Sequence, residues 1–330
     1  MSDYDRIAPL EVELDGYTTE RRTLEVSSGF TRVTTIVVAR GGGVEGRGED
    51  VTYQAEAHDR FPMELDLSGR QTFDDFSARL AAHELEGYAP WAFESAVLDL
   101  ALRQADASLG DVVGREYRPV RFVVSTRGDV RPWREHYPAL EFKIDPEVDW
   151  TREHMDELAS TGAIRVADLK GYYRGTVVDV PADPRLYRDV VEAFSDSVIE
   201  DAFFTDETRP ILVEAAERLS FDAPIHSVDD VLALEIEPRF LNIKPSRFGT
   251  WRRLLDTLAH GEEHGISMYG GGQFELDVGR DHIQAIASLY YAGAANDVAP
   301  GVYTAPPPRP GLPTSPLDPP REPRGLAFSV

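Results

Sequence analysis

RVADLKGYY (165–173), SVIEDAFF (197–204), SFDAPIHS (220–227) and LNIKPSRFG (241–249) share one pattern: a short apolar run, a charged residue at its end, then a turn. The stretches between them, LYRDVVEAF, PILVEAAERL and VDDVLAL, carry apolar residues at helical spacing. The same rhythm extends back through ALEFKID and VRFVVST, and forward through WRRLLDTLAH to GISMYGGG. Repeated β–α units of roughly 20 to 30 residues mean parallel strands covered by helices, and their number suits a closed sheet. The fold class is therefore α/β, a TIM-type β/α barrel of about seven or eight strands.

Upstream of the barrel the pattern differs. LEVEL, RVTTIVVA and VTYQA read as strands around the glycine stretch GGGVEGRGED, which suggests a flexible hairpin. In PWAFESAVLDLALRQ, Phe93, Val97, Leu100 and Ala101 share a helical face, and Pro90 marks the helix start. This predicts an α+β domain over 1–115, a barrel over 116–300 and a Pro-rich tail over 301–330. Residues 306–323 hold nine of the 23 prolines, and two readings stand: an extended tail, or one whose GLAFSV end packs back on the body.

Composition narrows the function. The 58 acids against 34 bases give a formal charge of -24, which repels phosphate backbones and anionic membranes, so neither is an expected partner. No cysteine is present for a disulfide or a thiolate metal site. The start MSDYDRIAPLEVELDG lacks a basic segment followed by an apolar one, and no apolar run is long enough to span a bilayer, so the expectation is a soluble cytoplasmic protein. The acidity resembles that of proteins from salt-rich cytoplasm, although a GC-rich genome also favours arginine over lysine.

Only three bases are lysine: Lys143, Lys170 and Lys244. Each ends a strand-like run, and a buried lysine can trade a proton where arginine cannot. In a β/α barrel the active site lies at the C-terminal strand ends. Those ends carry Lys143 and Asp145, Asp168 and Lys170, Glu200, Asp222, Lys244, then Gly270, Gly271 and Gly272 with Glu275. Asp168, Glu200 and Asp222 come from three consecutive units, and such converging hard oxygen ligands suit Mg²⁺. The alternative is that these acids are helix caps or surface charges in an acidic chain. Gly270 to Gly272 make a tight loop, or present backbone N–H groups to a substrate carboxylate. Glu275 either bonds a catalytic lysine or closes the barrel, and His226 overhangs the mouth or is an ordinary loop histidine.

The segments PWAFESAVLDLALRQ, EFKIDP, RVADLKGYY, SVIEDAFF, SFDAPIHS, LNIKPSRFG and GGGQFEL, in this order, resemble the enolase superfamily, in its muconate-lactonizing and o-succinylbenzoate-synthase-like branch. The resemblance implies a capping domain over a modified barrel, Mg²⁺ on Asp168, Glu200 and Asp222, and Lys244 facing the substrate. It also implies a small-molecule carboxylate substrate whose α-proton is removed to an enolate. In such families a hairpin like GGGVEGRGED can close over the substrate, which makes Arg47, Glu49 and Tyr53 specificity candidates. Symmetric assemblies are common there, so a homo-oligomer is a further expectation.

Two departures stand out. The branch usually carries Lys-x-Lys on the second barrel strand, whereas here the residues are Lys143-Ile144-Asp145. Lys170 occupies the place of the asparagine in the usual Asp-x-Asn. Lys170 is then the candidate to supply the missing cation, with Asp145 as an acid/base or its ion-pair partner. The incomplete two-lysine pattern favours elimination, a lyase, over cycloisomerisation or epimerisation. A reading of another class is a barrel without chemistry, a metal-stabilised binding or scaffold protein. His260, Glu263 and His264 fit H-x-x-E-H, yet glycines 261 and 265 flank them, which argues against zinc hydrolysis.

Overall fold

The computed structural model describes residues 1–330 except 26–30, 63, 177, 305–307 and 329–330. The first part runs α1 (Asp3–Ile7), β1 (Glu11–Leu14), β2 (Gly16–Glu25), β3 (Thr31–Gly41), β4 (Val44–Asp50), α2 (Ala55–Asp59), β5 (Gly69–Thr72), α3 (Phe73–Ala81), α4 (Ala89–Gln104) and α5 (Leu109–Val113). Strands β2, β3 and β4 form an antiparallel meander, and β1 pairs with β5. Local chemistry sets the helix starts. Thr72 and Asp75 close a capping box on α3, Ser108 and Asp111 close one on α5, and Pro90 lies in the first turn of α4.

Helix α4 is buried on nearly every side rather than along one face. It lies directly against β4, and the glycines of that strand explain how. A Cβ on Gly46 would fall 2.2 Å from Leu100 N, and one on Gly48 would fall 2.0 Å from Ala92 O. The expected hairpin is present, with Gly42 and Gly43 making the turn between β3 and β4, but Gly46 and Gly48 do not serve flexibility: they are packing residues that let a helix backbone touch a strand.

The second part alternates β6 (Val123–Thr126), α6 (Arg131–His136), β7 (Glu141–Ile144), α7 (Arg152–Ser160), β8 (Ile164–Asp168), α8 (Pro184–Ala193), β9 (Val198–Glu200), α9 (Arg209–Glu214), β10 (Leu219–Phe221), α10 (Val228–Leu232), β11 (Phe240–Ile243), α11 (Trp251–Glu263), β12 (Ser267–Gly270) and α12 (Val278–Tyr290). Strands β6 to β12 form one parallel seven-stranded sheet in sequential order. Asn296 and Asp297 join its two edges. Asp297 N donates to Gly270 O at 2.7 Å, Val123 N donates to Asn296 O at 2.8 Å, and both bridges are parallel. This short segment serves as the eighth stave, the one that sequence periodicity could not reveal because it is too short to show any.

The described part of the tail packs back on the body. Leu317 exchanges backbone hydrogen bonds with Val120, Leu109 N donates to Gly325 O, and Leu326 and Phe328 are buried. Residues 305–307 and 329–330 of that stretch lie outside the described residues.

Candidate active site

Strand register brings the acids together. Asp168 and Glu200 end β8 and β9 as direct neighbours, and Asp222 follows β10. All three are buried, and each offers an oxygen within 4.8 Å of the others; among the described residues only this group meets that test for a metal site. His260, Glu263 and His264 do not.

Buried carboxylates this close require counter-charge, and four cations supply it. Lys143 Nζ lies 2.5 Å from Glu200 Oε1 and 3.0 Å from Asp168 Oδ2. The Lys170 ammonium bonds Asp168 Oδ2 and lies 3.5 Å from Asp145 Oδ1. Lys244 Nζ and Arg247 Nη1 hold the two oxygens of Asp222 at 2.8 and 2.5 Å. Neutral donors complete the shell. Tyr173 Oη donates to Asp222 at 2.8 Å, while Tyr269 Oη at 2.5 Å and Asn242 Nδ2 at 3.1 Å donate to Glu200.

The protonation states follow. Burial pushes the pKa of each lysine down, but the adjoining carboxylates more than offset it, Asp168 and Glu200 for Lys143, Asp145 and Asp168 for Lys170, and Asp222 for Lys244. All three stay charged. Burial raises the acids, yet the neighbouring cations bring Asp168 and Asp222 below the ordinary carboxylate range. Glu200 goes the other way, to about 8, because burial and then the repulsion of Asp168 outweigh Lys143. Asp201, raised to about 7 by burial and then by Asp222, receives the amides of Asp222 at 2.8 Å and Ala223 at 3.0 Å. It thereby fixes the turn that carries Asp222.

The remaining sequence candidates fall into place unequally. Asp145, at the end of β7, lies near Lys170 and 3.3 Å from Arg127 Nε. The Gly270 amide donates to Asn296 Oδ1 and the Gly271 amide to Ile243 O, so neither is free for a substrate carboxylate. Their contribution is clearance: a Cβ on Gly271 would collide with Asn242 and Lys244, and one on Gly272 would lie 2.5 Å from Glu275 Oε2. Glu275 accepts from Gln273 N at 2.7 Å and faces Arg280 at 3.5 Å; it bonds no lysine. His226 is exposed, with Nδ1 3.2 Å from Arg247 O. Glu49 is buried and caps α12, accepting from the amides of Leu276, Asp277 and Gly279. That corrects its expected place at a substrate loop.

Sequence reading missed Arg247, Tyr173, Tyr269, Asn242 and Asp297. Asn242 carried a usable signal, since it stands two residues before Lys244 on β11 and so shares its face. Asp297 carried none before the eighth stave was seen. The mouth itself is filled: Lys143 is 1 %, Lys244 7 % and Arg247 7 % exposed. A cavity of about 340 Å³ lies instead at the start of β12, where Ser267 and Met268 meet Arg118, Glu262 and Tyr290. It belongs to the opposite strand ends.

The donor set fits Mg²⁺, being three buried carboxylates on rigid strand ends. Solved structures share the architecture. A mandelate racemase/muconate lactonizing protein from Herpetosiphon aurantiacus is 17% identical, with a TM-score of 0.72, covering 98% of this chain and 99% of that one. Muconate lactonizing enzyme from Pseudomonas putida is 18% identical at 0.69, covering 96% and 97%. A dipeptide epimerase from Methylococcus capsulatus, solved with a Mg ion, is 18% identical at 0.69, covering 86% and 89%. No curated protein matches. Models described as the N-terminal and C-terminal domains of a domain of unknown function (DUF8230) match residues 5–112 and 116–305. The chain thus belongs to the DUF8230 family and has the fold of the enolase superfamily.

Proposed function

We propose that this protein is an enzyme that removes the α-proton of a small-molecule carboxylate and then eliminates a group from the β-carbon, as a lyase. The observation that carries this reading is the placement of charged groups around the triad. In the eight-stave barrel, Asp145 follows the second stave and Lys244 the sixth, so they face each other across the axis. The triad lies on the staves between them.

Asp168, Glu200 and Asp222 would hold Mg²⁺, which when bound supplies positive charge for the substrate carboxylate. The chain's own groups do the rest. Asp145, beside the Lys170 ammonium, takes the proton on its carboxylate as the Cα–H bond breaks, and those electrons form the enolate. Its added charge develops beside the Lys244 and Arg247 cations, which need no reorganisation to stabilise it. As the Cβ–X bond breaks and the C=C bond forms, Lys244 delivers a proton to the departing group. The net change is loss of HX. The same opposed pair supports a second reading: an isomerase, with Lys244 returning a proton to the other face of the α-carbon.

The test is proton exchange in D₂O across a library of carboxylic acids: acylated amino acids, sugar acids and cyclohexadiene acids. Exchange with at least one acid is expected, and loss of it in Asp145→Asn and Lys244→Ala. Undiminished exchange in both variants would reject the assignment. The product then separates elimination from isomerisation.

A further inference from the structure

All six oxygens of the triad are already engaged by the protein. Asp168 Oδ2 receives Lys143 and Lys170, and Oδ1 receives the Lys170 amide at 3.1 Å. Glu200 Oε1 receives Lys143 and Asn242, and Oε2 receives Tyr269. Asp222 Oδ1 receives Arg247, and Oδ2 receives Lys244 and Tyr173. The ammonium groups of Lys143 and Lys170 together carry two positive charges, the charge of Mg²⁺, and both bear on Asp168.

Two further features distinguish these lysines from ordinary ion-pair partners. Lys170 has φ 52, a left-handed conformation that costs a residue with a side chain about 1 kcal/mol or more. That turn folds its amide and its ammonium back onto the same carboxylate, two residues earlier. Each lysine also reaches a second acid away from the triad. Lys143 Nζ lies 3.9 Å from Asp297 Oδ2, and Lys170 Nζ lies 3.5 Å from Asp145 Oδ1. Asp145 Oδ1 is buried and otherwise has no hydrogen bond.

We propose that Lys143 and Lys170 are a resident counter-ion pair for the triad. They keep the barrel folded without a divalent metal, and Mg²⁺ reaches Asp168 and Glu200 only as their ammonium groups move to Asp297 and Asp145. This rests on the triad being the metal site, but not on the reaction. It makes metal affinity a competition between one divalent ion and two tethered monovalent ones, with Asp145 and Asp297 as the receiving acids.

The experiment is metal binding to the full chain, with Mn²⁺ followed by electron paramagnetic resonance, and thermal unfolding with EDTA or Mg²⁺. The wild-type chain is expected to keep its unfolding midpoint in EDTA and to bind Mn²⁺ weakly. Lys170→Met, which removes one competing charge, is expected to bind Mn²⁺ about tenfold tighter. Asp145→Ala, which removes an acceptor for the displaced ammonium, is expected to bind it more weakly, an effect that a merely structural acid would not produce. Lys143→Met is expected to need Mg²⁺ to fold; should it fail to fold in any condition, Lys170→Met decides. Equal Mn²⁺ affinity in wild type and Lys170→Met would overturn the proposal while leaving the metal site intact. Absence of Mn²⁺ binding in every chain would overturn the metal site as well.

Discussion

Gly271 makes room for Lys244: a Cβ on the glycine would stand 3.0 Å from Lys244 Cε, and 2.4 Å from Asn242 Oδ1. The glycine's backbone is not left-handed, so contact alone forbids a side chain there. Gly271→Ala is expected to displace Lys244 from Asp222, and a shift of about 1 Å in such a group costs on the order of a hundredfold in rate. Overpacking adds about 1–3 kcal/mol of destabilisation. Exchange rates in D₂O, with the unfolding midpoint beside them, test this. A rate equal to wild type would remove Lys244 from the chemistry.

Glu94 gives the stability a pH dependence. Buried in α4, it accepts from Trp251 N at 2.7 Å, and burial raises its pKa from 4.5 to about 7. A raised carboxylate favours the folded state fully below its unfolded pKa and loses that contribution as pH rises through the folded value. The window is therefore about pH 4.5 to 7, and the shift amounts to about 3 kcal/mol by linkage. Glu94→Gln, which keeps the oxygen acceptor, is expected to be more stable than wild type by that order at pH 8, with the gap closing below pH 4.5. Urea titrations at the two pH values decide it; a gap independent of pH would refute the assignment.

Legibility in the sequence followed periodicity. The acids and lysines of the triad region were readable because each ends an apolar run at a β–α interval, and a parallel sheet places those ends together. Arg247 lies in a single 3-10 turn, Pro245–Phe248, and Tyr173 in a loop, both past the strands, where no period constrains position. Glu49 read as a substrate-loop residue because its glycines suggested mobility, when the glycines instead admit a helix backbone. In the tail, proline content left an extended segment and a packed-back end equally open; the apolar Leu326 and Phe328 of GLAFSV carried the second reading, and both are buried.

The placement of Glu49 has a measurable consequence. One carboxylate accepts three amides at the start of α12 from a strand of the other domain: Leu276 at 2.7 Å, Asp277 at 3.1 Å and Gly279 at 2.8 Å. Those amides have no partners within the helix. Glu49→Ala leaves them unpaired, the Gly279 amide buried and the other two partly so, at an expected cost of about 2–4 kcal/mol. Glu49→Gln retains an oxygen acceptor and should lose less. Chemical denaturation of the two variants checks the order, and equal losses would show that packing rather than hydrogen bonding holds the domains there.

A chain ending at Arg324 tests the tail. It removes Leu326, which is fully buried, and Phe328, which is 3 % exposed. It also removes the amide that donates to Asp99 Oδ1 at 2.8 Å and the carbonyl that accepts from Leu109 N at 3.1 Å. Two buried apolar side chains contribute about 3–6 kcal/mol together, a large part of a typical domain's stability. The single substitution Phe328→Ala should account for about half of that, because Leu326 and its backbone contacts remain. If the truncated chain instead unfolds at the wild-type denaturant midpoint, the tail covers the barrel without stabilising it. A midpoint that falls in both variants, and further in the truncation, establishes Leu326 and Phe328 as part of the core.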